Sequence, residues 1–174
     1  MKSFLTRRLA GGLSEIKTTE KLDEFAGRIC KAVIPIKKEF YLGRGSSVAI
    51  CTLSSFDLLE KISKTVALMD KIAIAGRLLS ENRGIDAMIE FATRNPDLER
   101  IILCGKEVKG HRAGQALLSL AKNGTEPSGR IIGALGPYPI LRAEPKDVNT
   151  FRNRVQVVDL IGTTKLETIM MLVT

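Results

Sequence analysis

The sequence lacks several features that would identify common classes of protein. It has no tryptophan, six phenylalanines and two tyrosines, and none of these is interleaved with a basic run as a single-stranded nucleic-acid surface requires. Its three cysteines are odd in number and form no Cys-x-x-Cys pair, which excludes a secreted disulfide framework and a zinc ribbon. No apolar run approaches the ~20 residues that span a bilayer. The basic N-terminus also lacks the apolar region of a secretory signal. We therefore expect a cytoplasmic protein without a transmembrane helix.

The charge is strongly positive but unevenly distributed. The formal net charge is +8, and residues 1–47 hold ten lysines and arginines against five acidic residues. Charge alone is weak support for nucleic-acid binding, and we expect no nucleic-acid partner. Residues 1–33 are instead predicted to form a basic arm with an extra helix at Thr19–Val33. This arm could dock on an acidic partner or on a membrane surface.

The hydrophobic pattern between Val48 and Leu160 predicts an α/β domain, which we assign to residues 34–162 with a short segment at 163–174. A chain of 174 residues is long enough for one well-buried core. Segments with helical spacing of apolar residues separate the first four of five short apolar runs, and a short helix is predicted at Lys146–Asn153. This alternation predicts a Rossmann-like or flavodoxin-like three-layer sandwich with a mainly parallel five-stranded sheet. The predicted strands are Val48–Leu53, Lys71–Gly76, Arg100–Cys104, Arg130–Leu135 and Val155–Leu160.

The loops at the carboxyl edge of this sheet are the expected ligand site, because open parallel sheets bind ligands there. The loop GKEVKGHRAG contains His111, which is the single histidine of the chain. Its imidazole could ligate a metal or transfer a proton. The other predicted ligand-binding residues, taken from four loops, are Thr52, Leu53, Ser54, Ser80, Glu81, Asn82, Gly105, Glu107, Val108, Gly110, Gly114, Gly133, Gly136 and Pro137.

Motifs for other chemistries are missing from the sequence. There is no GxxxxGK[ST] phosphate loop, no GxGxxG after the first strand and no GxSxG nucleophile elbow. Cys51 and Cys104 fall within predicted strands, so we expect them to be core residues.

The stretch ILCGKEVKGHRAGQAL resembles the cobalamin-binding A subunit (MtrA) of tetrahydromethanopterin S-methyltransferase from methanogenic archaea. Four further stretches are similar to that subunit in the same order: IPIKKEFYLGRGSSVAICTLSS, IAGRLLSENRGID, RIIGALGPYPIL and RVQVVDLIG. Together the five stretches cover about Ile34 to Gly162.

The resemblance implies a cobalamin-type corrinoid cofactor whose cobalt has His111 as its lower axial ligand and catalytic metal-binding residue. It implies a methyltransferase component that carries a methyl group from methyl-tetrahydromethanopterin to the thiol of coenzyme M. Partner subunits of a membrane complex would assist, which would place the chain peripheral to a membrane. The alternative is a non-catalytic module that binds a flavin, a nucleotide or a protein partner on the same fold.

The chain departs from related patterns at three places. Other cobalamin domains use DxHxxG, whereas Lys109 stands two residues before His111. Without that carboxylate we expect the imidazole to be a weaker ligand that is easier to release, unless a backbone carbonyl or Glu107 replaces the carboxylate. The family typically has a Pro-Cys pair where this chain has Arg77-Leu78. It also normally has a C-terminal membrane helix, whereas this sequence ends at Thr174.

Overall fold

The computed structural model describes residues 39–173, in which five strands form one sheet and six helices cover it. The predicted N-terminal arm and its helix lie outside these residues. The strands are β1 (Phe40–Leu42), β2 (Val48–Cys51), β3 (Ile74–Gly76), β4 (Arg100–Gly105) and β5 (Gln156–Ile161). The helices are α1 (Phe56–Lys64), α2 (Val66–Met69), α3 (Arg83–Arg94), α4 (Ala113–Asn123), α5 (Pro145–Arg154) and α6 (Leu166–Met170).

The strand order reverses direction at the centre of the sheet. The order is β1-β3-β2-β4-β5, and every neighbouring pair is parallel except β1 with β3. The chain passes from β2 to β3 on one side and then crosses to β4 on the other side. In such sheets the crevice for ligands opens at the carboxyl ends of the strands where the order reverses. Here that position is the end of β2, between the loops that follow β3 and β4.

Alternating side chains of the strands build a core on each face of the sheet. Ala49 and Cys51 of β2 join the core under α3, α4 and α5. Val48 and Ile50 of the same strand face α1, α2 and α6. The predicted three-layer α/β sandwich is confirmed.

Several predicted element boundaries are also confirmed. Asn95 follows the last residue of α3, and Gly124 follows α4 with a φ of +77°. Pro145 opens α5, where its missing N–H has no helical partner to lose. Local turn chemistry therefore sets these boundaries much as the sequence indicates.

The prediction of a strand at Arg130–Leu135 is wrong. This segment makes only two isolated antiparallel pairings, Thr125 with Ile131 and Arg130 with Ile140. Gly133 adopts a φ of +82°, which turns the chain after two residues and prevents an extended strand. The fifth strand is β1, whose three residues give too short a pattern to be detected. The strand predicted at Lys71–Gly76 begins later, at Ile74.

The segment after residue 162 contributes to the core. Ile169 of α6 is fully buried, and Val173 is 5% exposed. The guanidinium of Arg100 donates to the carbonyl of Leu172 over 3.1 Å, which ties the start of β4 to this segment.

Candidate functional site

Two loops on either side of β2 bring a carboxylate to the histidine. Glu81 lies on the loop after β3, and His111 lies on the loop after β4. Oε2 of Glu81 and Nδ1 of His111 are 2.8 Å apart. The Glu81 side chain is 1% exposed, whereas that of His111 is 53% exposed. The imidazole is therefore held from the protein side and open on its other side.

A second donor anchors the buried carboxylate. The backbone N–H of Tyr138 donates to Oε1 of Glu81 over 2.9 Å. Burial by itself raises the pKa of the Glu81 carboxyl. Backbone N–H groups of Glu81 and Tyr138 and the His111 side chain outweigh burial and hold the pKa below its ordinary value of 4.5. An ionised carboxylate only accepts hydrogen bonds, so Nδ1 of His111 carries the proton of this contact.

The loop between residues 130 and 141 packs against this pair at Gly136. A Cβ added to Gly136 would lie 2.4 Å from the His111 carbonyl oxygen and 2.9 Å from Cγ of Glu81. Only glycine allows so close an approach of the two chain segments. Loops that follow β3, β4 and α4 thus meet at one point.

Glu107 does not bond to the histidine ring and instead binds the backbone around it. Its Oε1 accepts from the N–H groups of Val108 and Gly114 over 2.7 and 3.0 Å, and its Oε2 accepts from that of Gln115 over 2.8 Å. Neither of the two replacements considered for the missing aspartate, Glu107 or a backbone carbonyl, bonds to Nδ1 of His111. Glu81, which is thirty positions from His111, has that place.

The loop that carries His111 has an unusual backbone. Gly110 has a φ of +84° and Arg112 a φ of +49°, so left-handed residues stand on both sides of His111. The N–H of Arg112 donates to the Val108 carbonyl over 2.8 Å, which closes one tight turn. Such conformations are uncommon for a residue with a side chain and concentrate at functional sites.

The other predicted site residues fall into three groups. Some are buried in the packing beneath the site and are not exposed to a ligand: Thr52, Leu53, Gly105 and Gly114. Some use their side chains in hydrogen bonds: Ser54 and Asn82 donate to carbonyls of other loops, and Ser80 accepts from the N–H of Gly84 at the start of α3. The remainder lie at least partly open to solvent near the carboxyl edge, namely Val108, Gly110, Gly133 and Pro137.

Sequence reasoning misses three residues that shape the site. The Gln115 side chain donates to the Gly133 carbonyl and accepts from the N–H of Leu135, each over 2.9 Å. Leu135 and Tyr138 flank Gly136 and are 63% and 69% exposed. The sequence signal for Leu135 and Tyr138 is that they are large apolar residues in a loop rich in turn residues. The apolar run at Arg130–Leu135 obscures this signal because it predicts a strand.

An open cavity of about 620 Å³ lies elsewhere, between β1, β3 and α3. It is lined mainly by apolar side chains, with Arg77 and Arg83 among its charged residues, and His111 is not among its lining residues. The histidine therefore faces a different part of the surface.

Both described cysteines are buried, as predicted. Burial raises the pKa of Cys51 and of Cys104 to about 12. Neither thiol is poised as a nucleophile near neutral pH. Within residues 39–173, no helix is both long and apolar enough to cross a membrane.

Comparisons with a family model and with individual proteins identify the same family. The family described as the A subunit (MtrA) of tetrahydromethanopterin S-methyltransferase matches residues 31–174. The protein of that name from Methanocaldococcus jannaschii is 39% identical over 129 residues, which are 72% of this chain and 52% of the relative. Methanothermobacter thermautotrophicus has two proteins of that name. The one numbered 2 is 36% identical over 118 residues, which are 67% of this chain and 61% of the relative.

A relative with a different name shows similar likeness. A Methanosarcina barkeri protein, provisionally named as the A subunit of a methyltransferase called Mtx, is 32% identical over 148 residues. The match covers 84% of this chain and 71% of the relative. The chain thus spans between about half and seventy per cent of these relatives' lengths. By its match over residues 31–174, the chain belongs to the MtrA family, the A subunits of tetrahydromethanopterin S-methyltransferase.

Proposed function

We propose that this chain binds a cobalamin-type corrinoid and serves as the methyl-carrying component of a methyltransferase, with His111 as the lower axial ligand of cobalt. The observation that carries the proposal is the hydrogen bond between Glu81 and Nδ1 of His111. Metal-ligating histidines commonly direct their other ring nitrogen to a carboxylate in this way.

The hydrogen bond also selects the nitrogen that coordinates. Because Nδ1 holds the proton, the neutral ring has its lone pair on Nε2. Within residues 39–173 the ring's hydrogen bond is made through Nδ1 and leaves Nε2 unbonded, and 53% of the side chain is exposed. Nε2 is therefore the nitrogen that meets the metal.

The surface beside the histidine suits a large, flat and mostly apolar ligand. Leu135 and Tyr138 expose most of their side chains on either side of Gly136, which packs directly on the Glu81–His111 pair. Gly110, Gly133 and Pro137 are exposed as well, and they add little side-chain bulk. A planar macrocycle can rest on such a surface while one imidazole approaches its centre.

The bound corrinoid supplies the methyl-transfer chemistry, and the protein orients it. Glu81 fixes the tautomer and direction of the imidazole, and it makes the ring a stronger electron-pair donor to a metal. Gly136 and Tyr138 fix Glu81 through backbone contact and a backbone N–H.

Partner proteins would complete the reaction. The relatives are named as subunits of larger enzymes, so a methyl-tetrahydropterin donor and a thiol acceptor, with tetrahydromethanopterin and coenzyme M as the family's pair, would reach the site through other subunits. We place the chain in the cytoplasm or at the periphery of a membrane complex, with no nucleic-acid partner.

Reconstitution with aquocobinamide tests this function, because that corrinoid lacks a nucleotide base that could ligate cobalt itself. We expect the wild-type protein to bind it and to change its visible spectrum in the way that an imidazole ligand does. His111→Ala should lose the change, whereas Lys109→Ala should keep it. Identical spectra for wild type and His111→Ala would refute axial ligation. Failure to bind any corrinoid, together with a copurified flavin, would support the alternative binding module.

A further inference from the structure

We propose that Glu107 is a positioning residue that holds His111 against Glu81 by closing the loop that carries the histidine. The positioning role is argued from the contacts of Glu107 alone. Its importance for activity rests on the proposed function, in which His111 ligates cobalt. The carboxylate of Glu107 and the loop 108–112 are the parts concerned.

The contacts of Glu107 span the whole loop. The same carboxylate accepts from Val108 at the start of the loop and from Gly114 and Gln115 after its end. An N-cap residue normally stands next to its helix and satisfies only that helix. Glu107 stands six residues before Ala113, and it also binds the first N–H of the loop, so it joins the two ends of the loop.

The two ends of the loop are themselves fastened to neighbouring segments. Before the loop, Ser54 Oγ donates to the Lys106 carbonyl over 2.7 Å, and the Lys106 N–H donates to Ser55 Oγ over 2.8 Å. After the loop, the Gln115 side chain holds Gly133 and Leu135. Glu107 therefore connects the segment after β2 with the segment that ends at Gly136.

The loop between these fastenings needs such a constraint. A Cβ added to Gly110 would meet no atom within 4 Å, and the ring of His111 is half exposed. Packing around Gly110 and around the exposed side of the His111 ring is therefore sparse, although Gly136 packs on the His111 carbonyl oxygen. The bond from Nδ1 to Glu81 weakens steeply when its angle or length changes, so loop motion would release it.

The packing around Gly114 supports a specific fit for this carboxylate. A Cβ added to Gly114 would lie 3.0 Å from Oε2 of Glu107 and 3.0 Å from Cδ1 of Leu53. The helix thus approaches the carboxylate closely because residue 114 has no side chain. Charged hydrogen bonds of this type are roughly twice as strong as neutral ones.

The single histidine makes a direct test feasible without any cofactor. Protein labelled with 15N-histidine, produced without a histidine tag, gives ring signals that report which nitrogen bears the proton. Free neutral histidine favours the proton on Nε2, so the Nδ1–H form reports the contact with Glu81. We expect wild type to favour Nδ1–H, and Glu107→Gln to shift the ring toward Nε2–H. Glu107→Asp keeps the charge on a shorter side chain and should lie between them.

Amide exchange and a control variant complete the design. We expect Gly114 and Gln115 to exchange about tenfold to a hundredfold faster in Glu107→Gln, because a charged acceptor is lost. Glu90→Gln on the exposed face of α3 should change neither measurement. If Glu107→Gln does not fold, Glu107→Asp decides by the same comparison.

The possible results separate this proposal from the proposed function. Faster amide exchange with an unchanged ring tautomer would mean that Glu107 only caps α4, which overturns the proposal. An unchanged tautomer with unchanged exchange also overturns it. A shifted tautomer supports it, even if wild-type protein fails to ligate aquocobinamide, in which case the proposed function alone is lost.

Discussion

Glu81 Oε2 lies 2.8 Å from His111 Nδ1, although the two residues are thirty positions apart and follow different strands. The strand order explains this meeting, because β3 and β4 are both neighbours of β2 and their carboxyl ends share one edge. A carboxylate on a separate loop can move relative to the histidine, whereas one placed two residues before it moves with the same loop. The contact between Glu81 and His111 is therefore sensitive to any change in the relative position of the loops after β3 and β4.

Replacement of the buried carboxylate should weaken ligation by His111. Glu81→Gln keeps the shape but leaves one carbonyl oxygen where the carboxylate uses two, one for His111 and one for Tyr138. Either one of these contacts is lost, or the amide N–H donates to Nδ1, which moves the ring proton to Nε2 and removes the lone pair needed for ligation. We expect aquocobinamide affinity to fall roughly 10–100-fold, the usual effect of losing such a partner. Spectrophotometric titration measures the change, and Glu90→Gln serves as the matched control. Equal affinities in wild type and Glu81→Gln would contradict the proposed role.

The same carboxylate predicts a pH dependence of stability. The pKa of Glu81 is lower in the folded protein than its ordinary value of 4.5, so the folded state favours the ionised form. Its contribution to the free energy of unfolding is complete above about pH 4.5 and is lost as the pH falls through the folded pKa. We expect the stability advantage of wild type over Glu81→Gln to shrink in that acid range. Denaturant unfolding of both proteins from about pH 7 to about pH 3 measures this difference. An advantage that stays constant or grows toward acid would show that Glu81 is not stabilised as an anion.

The sequence allows the frame of the site to be predicted, but not its internal contacts. Apolar runs and turn residues place four of the five strands and locate His111 on a loop at the carboxyl edge. Glu81 is a predicted site residue for the same reason, since it follows β3. Its pairing with His111 depends on the order β3-β2-β4 and on the close approach of Gly136, and neither follows from local pattern. Glu107 is much nearer the histidine in sequence, yet its carboxylate accepts hydrogen bonds from the backbone N–H groups at the start of α4.

Gly136 should be intolerant of even one methyl group. In Gly136→Ala the new Cβ would meet the His111 carbonyl oxygen at 2.4 Å, so the backbone around the histidine must shift. We expect a loss of about 1–3 kcal/mol in stability and a clear loss of corrinoid affinity. Gly162→Ala is the control, because Gly162 has a φ of +91° and no atom near its added Cβ. That variant should lose about 1 kcal/mol through backbone strain and retain its affinity. If both variants bind corrinoid equally well, Gly136 does not support the histidine.

The buried thiols should resist alkylation in the folded protein. Burial raises the pKa of Cys51 and Cys104 to about 12, so almost no thiolate is present near neutral pH. We expect iodoacetamide to label both residues only after unfolding, with peptide mass mapping to separate them from Cys30, which lies outside the described residues. Rapid labelling of Cys51 in native protein would show that the core beside β2 opens readily.

The exposed apolar residues beside Gly136 should contribute to corrinoid binding rather than to folding. Tyr138 is 69% exposed, and its contact with Glu81 uses only the backbone N–H, which Tyr138→Ser retains. If a macrocycle covers this ring, losing the aromatic surface should lower aquocobinamide affinity about tenfold, equivalent to about 1.4 kcal/mol. The free energy of unfolding should change by less than about 0.5 kcal/mol, as at most surface positions.

A matched exposed residue distinguishes this effect from a general loss of apolar surface. Leu42 is 67% exposed, but it pairs with Ile74 at the opposite, amino end of β3. Leu42→Ser should therefore leave affinity unchanged. Equal affinities for Tyr138→Ser and wild type would place the macrocycle away from this loop. An affinity loss confined to Tyr138→Ser would locate the macrocycle over the surface that Gly136 joins to the Glu81–His111 pair, where one imidazole and one exposed ring face the same ligand.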